Sequence, residues 1–291
     1  MRTETVALPA TAPFAWRHSL RFAAGFKAAD DAQRVAGDTL TRALRADGRN
    51  VVAVLAPADG GLTCTLHGPE LPASTVRAAA DRLAFAFSLD DDLTGLYALG
   101  ANDPDFAPIM ERLHGYHQVK FATPLENAVW AILAQRTALP VAVREKNALT
   151  TPFADTLTLD GARYTAFPDV EQLASLKPGE IAELVRNRRK GEYVAGMVRG
   201  WLDIDEDALR HAPYQEAKDA LLALPGIGAW SAAFILLRGL GRTDETPDEK
   251  QLADAASRLY GRPLSREQVQ RMGARYGPWQ GYWAHYLRAA S

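Results

Sequence analysis

The spacing of apolar positions divides the chain near residue 90. Before it, residues 51–55 and 62–66 read as two strands of a hairpin, joined by a turn around Asp59-Gly60-Gly61. Phe14, Trp16, Leu20 and Phe22 open an apolar segment at near-alternating spacing. Stretches 29–47 and 72–87 read as amphipathic helices, the second with Ser74 or Thr75 as N-cap. Strands beside segregated helices predict a small α+β domain. From about residue 91 the strand signals stop. Residues 89–115 read as helical with Asp and Pro punctuation, and Thr123 caps a helix that has Pro124 at its first position. Further helices are expected over 141–149, 170–176, 178–187, 190–202, 213–223, 229–239, 249–259, 265–275 and 279–289. Their short, Pro-, Gly- and Asp-rich connections suit a multi-helix array.

Composition narrows the chemistry. The 291 residues amount to about two domains, and 47% hydrophobic with 23% charged residues is the make-up of a soluble globular protein with a large core. Cys64 is the only cysteine, which excludes an internal disulfide framework, a four-cysteine iron–sulfur cluster and a Cys-based zinc finger. His114-Gly115-Tyr116-His117 has no Cys or Glu motif beside it and reads as a turn, so no metal site is expected. The longest apolar run of the C-terminal half, 229–237, contains Ser231 and falls well short of the roughly 18 residues of a membrane span. The first 13 residues lack an apolar signal core, which points to a cytoplasmic protein. With 33 Lys+Arg against 35 Asp+Glu the net charge is −2, which argues against a bulk polyanion binder and leaves room for a local basic face. The densest basic cluster is Arg186-Asn187-Arg188-Arg189-Lys190.

The most informative stretch is 214–261. Leu221, Leu222 and Leu224 end one helix, Pro225-Gly226-Ile227-Gly228 forms a turn too tight for side chains, and Trp230, Phe234 and Leu237 share one face of the next helix. Such glycines let the backbone approach another surface, and the free amides of the second helix suit an anion, a phosphate above all. Taken alone, the turn reads equally as a packing corner. Some twenty residues later Thr246-Pro247-Asp248-Glu249 precedes an apolar helix ending in Arg258-Leu259-Tyr260-Gly261. At these residues the chain resembles the helix-hairpin-helix DNA glycosylase superfamily, most of all the bacterial 3-methyladenine DNA glycosylase II type. Residues 224–230 match the hairpin. Residues 126–135 resemble the helix that ends in a DNA-facing glutamine, Gln135, and 277–282 resemble the final helix. The opening Pro13-Phe14-Ala15-Trp16 resembles that type's extra domain. The likeness runs over nearly the whole chain, with the motifs in family order.

The resemblance implies a mainly α, bilobed helical fold preceded by a small α+β domain with an antiparallel sheet over residues 1–90. One lobe would be 124–242 and the other 91–123 with 243–291. It also implies a monofunctional DNA glycosylase that flips an alkylated purine of the 3-methyladenine type out of damaged double-stranded DNA and hydrolyses its N-glycosidic bond. Glu249 falls at the family's catalytic aspartate and Asp248 lies beside it. Either would stabilise the charge developing on the sugar, while by position alone both are first-turn acids of a helix. Trp230 stands where bifunctional members carry a Schiff-base lysine, which removes the amine for lyase chemistry. Trp230, Phe234, Phe14 and Tyr282 are candidates for the base pocket. Gly226, Ile227, Gly228, Gln135, Arg136, Arg188, Arg189 and Lys190 are candidates for DNA contact, with Arg136 where a relative inserts an apolar wedge. Arg288 stands where the type has a tryptophan near its pocket. No cofactor is required, with a monovalent cation conceivable at the hairpin carbonyls, and the protein is expected to be a nucleoid-associated monomer. Two rival readings stand beside this one: a glycosylase for deaminated or oxidised purines, and a non-catalytic DNA-damage-binding protein of the same fold.

Overall fold

The computed structural model describes residues 1–29, 32–153 and 155–291. Its first part is an antiparallel sheet with two helices: β1 (Arg2–Pro9), α1 (Trp16–Ala24), β2 (Gln33–Ala36), β3 (Thr39–Ala46), β4 (Arg49–Ala58), β5 (Gly61–Gly68) and α2 (Ala73–Ala86). The strands lie in the order β1-β5-β4-β3-β2. Helices then dominate: α3 (Thr94–Gly100), α4 (Ala107–Arg112), α5 (Pro124–Leu133) and α6 (Leu139–Ala148). A short hairpin of β6 (Thr156–Leu159) and β7 (Ala162–Thr165) intervenes before α7 (Val170–Ser175), α8 (Pro178–Leu184), α9 (Arg188–Trp201) and α10 (Glu206–His211). The chain closes with α11 (Tyr214–Leu222), α12 (Ala229–Arg238), α13 (Lys250–Leu259), α14 (Arg266–Ala274) and α15 (Gln280–Ala290). The protein is therefore mainly α, with a small antiparallel sheet near its N-terminus.

Four local expectations are corrected. Stretch 29–47, expected as a helix, forms the hairpin β2–β3 around the left-handed Gly37, with Asp30 and Asp31 outside the described residues. The cause is burial on both faces of β3. Leu40 and Leu44 enter the main core, while Ala43 packs from the other face against Val52, Tyr164 and Ala166. A strand covered on both sides carries apolar residues at spacings that imitate a helix. The near-alternating segment after Phe14 is helical, with Trp16, Leu20 and Ala23 facing inward at i, i+4 and i+7. Ser74 and Thr75 lie inside α2, whose N-cap is Pro72, and their hydroxyls donate to Asp47 Oδ2 at 2.7 and 3.1 Å. Strands also recur beyond residue 91. The β6–β7 hairpin turns at Asp160-Gly161, both with positive φ, and Asp-Gly between alternating residues was the available signal.

Two cores result. One runs from the sheet through α2 and Phe106 to Leu252, Trp283 and Leu287, so the first and last parts of the chain share it. The other lies among the middle helices, around Val129, Ile132, Val198, Ile235 and Leu236. Thr123 caps α5 as expected, accepting from Glu126 N at 3.1 Å, and Pro124 occupies its first turn. Among the described residues no helix is long and apolar enough to cross a membrane.

Candidate active site

A cleft of about 1270 Å³ opens between the middle helices and the start of α13, with the end of α15 at its edge. It brings together Glu249, Asp248, Trp230, Phe234, Gly226, Ile227, Gly228, Gln135, Arg136, Arg189 and Lys190 from segments far apart in sequence.

The turn between α11 and α12 forms one wall. Gly226 has φ +80°, and a Cβ there would lie 2.7 Å from Tyr193 Cβ, so both conformation and packing demand glycine. Gly228 is different. Its φ of −102° suits any residue, and a Cβ would meet nothing within 4 Å. It is the N-cap of α12 and offers no capping side chain, so amides of the first turn remain open to an outside acceptor. Gln135 reaches over from the end of α5, its Nε2 donating to Gly226 O at 2.9 Å and Ser231 Oγ at 3.1 Å. Its amide group thus braces the hairpin.

The two neighbouring acids take different directions. Asp248 faces outward, 63% exposed, with Arg266 Nη1 at 3.3 Å. Glu249 holds the N-cap position of α13, yet its side chain caps nothing. Its carboxylate lies in the cleft with only 7% exposure: Oε1 accepts from Trp230 Nε1 at 3.1 Å, and Arg288 Nη2 stands 2.8 Å from Oε2. Removing a carboxylate from water is costly unless it is paired, and here each oxygen has its own partner. Beneath lie Arg238, fully buried against the rings of Phe22 and Phe26, and His285. Burial pushes Arg238 down to about 10, so it stays cationic at neutral pH. Burial, with Arg238 and Arg288 beside it, holds the His285 imidazole well below its ordinary range and therefore uncharged.

Trp230 stacks on Phe234 with ring centroids 5.1 Å apart and planes 9° from parallel, and remains 41% exposed. At the rim, Arg136 takes the left-handed conformation (φ 49°), is exposed and makes no ion pair with any described residue. Arg189 lies over the Tyr193 ring, 5.4 Å from its centroid.

Four candidates are placed differently. Phe14 packs edge-on against His117, and Tyr282 is fully buried in the core, bonded to Asp91 and to Gln118 N; neither lines the cleft, because the loop before α1 and helix α15 turn these rings towards the shared core. Arg188 points outside it and pairs with Glu192 across one helical turn. Lys190 borders the cleft, but its ammonium is turned inward to Leu133 O, Thr137 Oγ1 and Glu145 Oε2, the last at 3.1 Å, where it satisfies the end of α5. Leu139 was missed as a lining residue. It stands 50% exposed at the rim at the start of α6, and an isolated leucine before a proline carries no functional signal. No three His, Cys, Asp or Glu side chains converge among the described residues in a way that could hold a metal.

No family model matches the chain. It is 30% identical over 288 residues to a probable bifunctional transcriptional activator/DNA repair enzyme AlkA of Mycobacterium tuberculosis, covering 98% of this chain and 56% of that protein. The chain thus spans about half the length of that relative. A DNA-3-methyladenine glycosylase of Bacillus subtilis is 26% identical over 206 residues, 69% of this chain and 68% of that one. The solved structure of a 3-methyladenine DNA glycosylase from Archaeoglobus fulgidus shares the fold, with a TM-score of 0.78 at 22% identity, covering 98% of this chain and 97% of that one. The chain is thus similar to DNA glycosylases of the 3-methyladenine type and shares their fold, which supports its resemblance to the helix-hairpin-helix superfamily.

Proposed function

We propose that this protein is a monofunctional DNA glycosylase that removes alkylated purines of the 3-methyladenine type from damaged double-stranded DNA. The observation that carries this reading is the Glu249 carboxylate, shielded in the cleft beside an open, stacked aromatic wall and across from the hairpin. A base inside a duplex is out of reach, and flipping it out costs a few kcal/mol, less when it is damaged. The exposed face of Trp230 receives the flipped ring by stacking, with a cation–π gain for a methylated, cationic purine. The free amides after Gly228 take a backbone phosphate, and the open space above Gly228 lets the sugar–phosphate chain come close.

Cleavage of the N-glycosidic bond builds positive charge on the sugar, and Glu249 opposes it from a water-poor site. Oε1 has two lone pairs, so after Trp230 one remains to orient the attacking water, while Arg288 holds the buried Oε2 as an ion pair. An imine route requires a neutral amine. The two lysines of the cleft, Lys190 and Lys250, are ion-paired with Glu145 and Asp254, and a tryptophan stands at the hairpin position.

The test is single-turnover release of 3-methyladenine and 7-methylguanine from methylated duplex DNA. Wild type releases both, Glu249→Gln loses at least about 100-fold in rate, and Asp248→Asn stays within a few-fold of wild type. Absence of release by wild type, with binding to abasic-analogue duplex intact, refutes the enzyme reading in favour of a damage-binding protein.

A further inference from the structure

We propose that Gln280 is a positioning residue for the reaction: it fixes the loop that carries Glu249 and, through that loop, the place of the carboxylate in the cleft. The inference rests on the glycosylase reading above. Residues 241–249, between α12 and α13, form neither helix nor strand, so their backbone groups need partners from elsewhere. Gln280, the first residue of α15, uses both ends of its side-chain amide on this loop. Its Nε2 donates to Asp244 O at 2.9 Å, and its Oε1 accepts from Thr246 Oγ1 at 3.1 Å. A carbonyl can only accept, so one orientation of the amide serves both bonds, and a carboxylate or an alkyl group of similar shape cannot replace it. Thr246 is fully buried, and the loop seats so closely there that a Cβ on Gly273 of α14 would lie 1.9 Å from Thr246 Oγ1. Gln270, also on α14, donates from Nε2 to Thr246 O at 2.9 Å.

The brace bears on the reaction because the path from Thr246 to Glu249 is short and stiff. The ring of Pro247 fixes φ at that residue, and Glu249 N donates to Pro247 O at 3.1 Å in a three-residue turn. A shift of Thr246 therefore passes to Glu249 with little loss. The same helix meets the acid a second time, through Arg288 Nη2 at 2.8 Å from Glu249 Oε2. The two contacts are separated by about 12 Å along the helix axis, at 1.5 Å per residue. Between them Tyr282, Trp283, Tyr286 and Leu287 are buried in the core. Helix α15 is thus a rigid gauge that holds the loop at its first turn and the carboxylate at its last.

The experiment is a double-mutant cycle on single-turnover release of 3-methyladenine, with thermal melting and binding to an abasic-analogue duplex measured for each variant. Gln280→Leu keeps most of the side-chain bulk and removes both hydrogen bonds. A displacement of about 1 Å in a catalytic group costs on the order of 100-fold, and Gln270 still holds part of the loop, so the rate is expected to fall at least about tenfold. Affinity for the abasic duplex is expected to stay within about threefold, because the hairpin is untouched. In the Glu249→Gln background the same change is expected to alter the rate by less than about twofold, since the group it positions has already been removed. Thr246→Val removes one of the two bonds, preserves the shape and gives the same pattern with a fall of about fivefold; it carries the test if Gln280→Leu fails to fold. A rate within about twofold of wild type in these variants overturns the proposal. So does an equal loss in both backgrounds, or a loss matched by weaker duplex binding, because the amide then merely supports the fold. Wild type that releases no base sinks the glycosylase reading itself, a result in which no variant takes part, and this proposal falls with it.

Discussion

Shortening Glu249 by one methylene, in Glu249→Asp, recreates the residue that the resembling family carries at this position. The structure nevertheless says that activity should fall. The present carboxylate meets Trp230 Nε1 at 3.1 Å and Arg288 Nη2 at 2.8 Å, and both partners sit on helices fixed by core packing. Retracting the carboxylate by about 1.5 Å takes it beyond hydrogen-bond range of the indole and leaves the guanidinium without its near oxygen. The charge also withdraws from the place where the sugar cation forms. A displacement of about 1 Å in a catalytic group costs on the order of 100-fold, about 2.7 kcal/mol. Single-turnover release of 3-methyladenine should therefore drop about 100-fold in Glu249→Asp. Binding to an abasic-analogue duplex should hold within about threefold, since the hairpin is untouched. Melting should fall by several degrees, because the shorter side chain breaks a largely buried ion pair. An aspartate variant as fast as wild type, or faster, would refute the claim that this cleft is built around the longer side chain.

Gly226→Ala should lower the melting temperature by several degrees, since its Cβ collides with Tyr193 at a left-handed position. Gly228→Ala should melt like wild type yet bind abasic-analogue duplex at least tenfold more weakly, because its methyl enters space that the free protein leaves open; unchanged affinity by fluorescence anisotropy would contradict the hairpin as a DNA contact. Gln135→Ala removes the brace on Gly226 O and Ser231 and should weaken the same binding about fivefold, in line with roughly 1 kcal/mol for such hydrogen bonds. Lys120, buried beside Ser88 and held down to about 8, binds its proton less readily in the folded than in the unfolded chain. The unfolded state therefore carries more protons between about pH 8 and 10.5, and the contribution of this residue to stability rises with pH across that window. Chemical denaturation from pH 7.5 to 10 should show the rise in wild type and its loss in Lys120→Met.

Much of the molecule was legible along the chain because its signals are local. The Thr123-Pro124 start, the Pro225–Gly228 turn and the helical periods after residue 120 depend on backbone geometry and capping within a few residues. Glu249 and Trp230 stood out through the family resemblance, by their offsets from the hairpin glycines and from Arg258, and not through local geometry. The β2–β3 pair misled because a strand covered on both faces loses its alternation, and the cover came from Tyr164 and Ala166, more than a hundred residues away. Tertiary structure alone decided what each charge does. Adjacent in sequence, Asp248 and Glu249 look alike as acids at a helix start, and only the fold turns one to Arg266 in solvent and the other between Trp230 and Arg288. In the same way Lys190 reads as part of a basic run, yet the fold directs it inward to close the end of α5. A charge takes its role from the partners and the solvent around it, and those are assembled by contacts between segments that the chain keeps far apart.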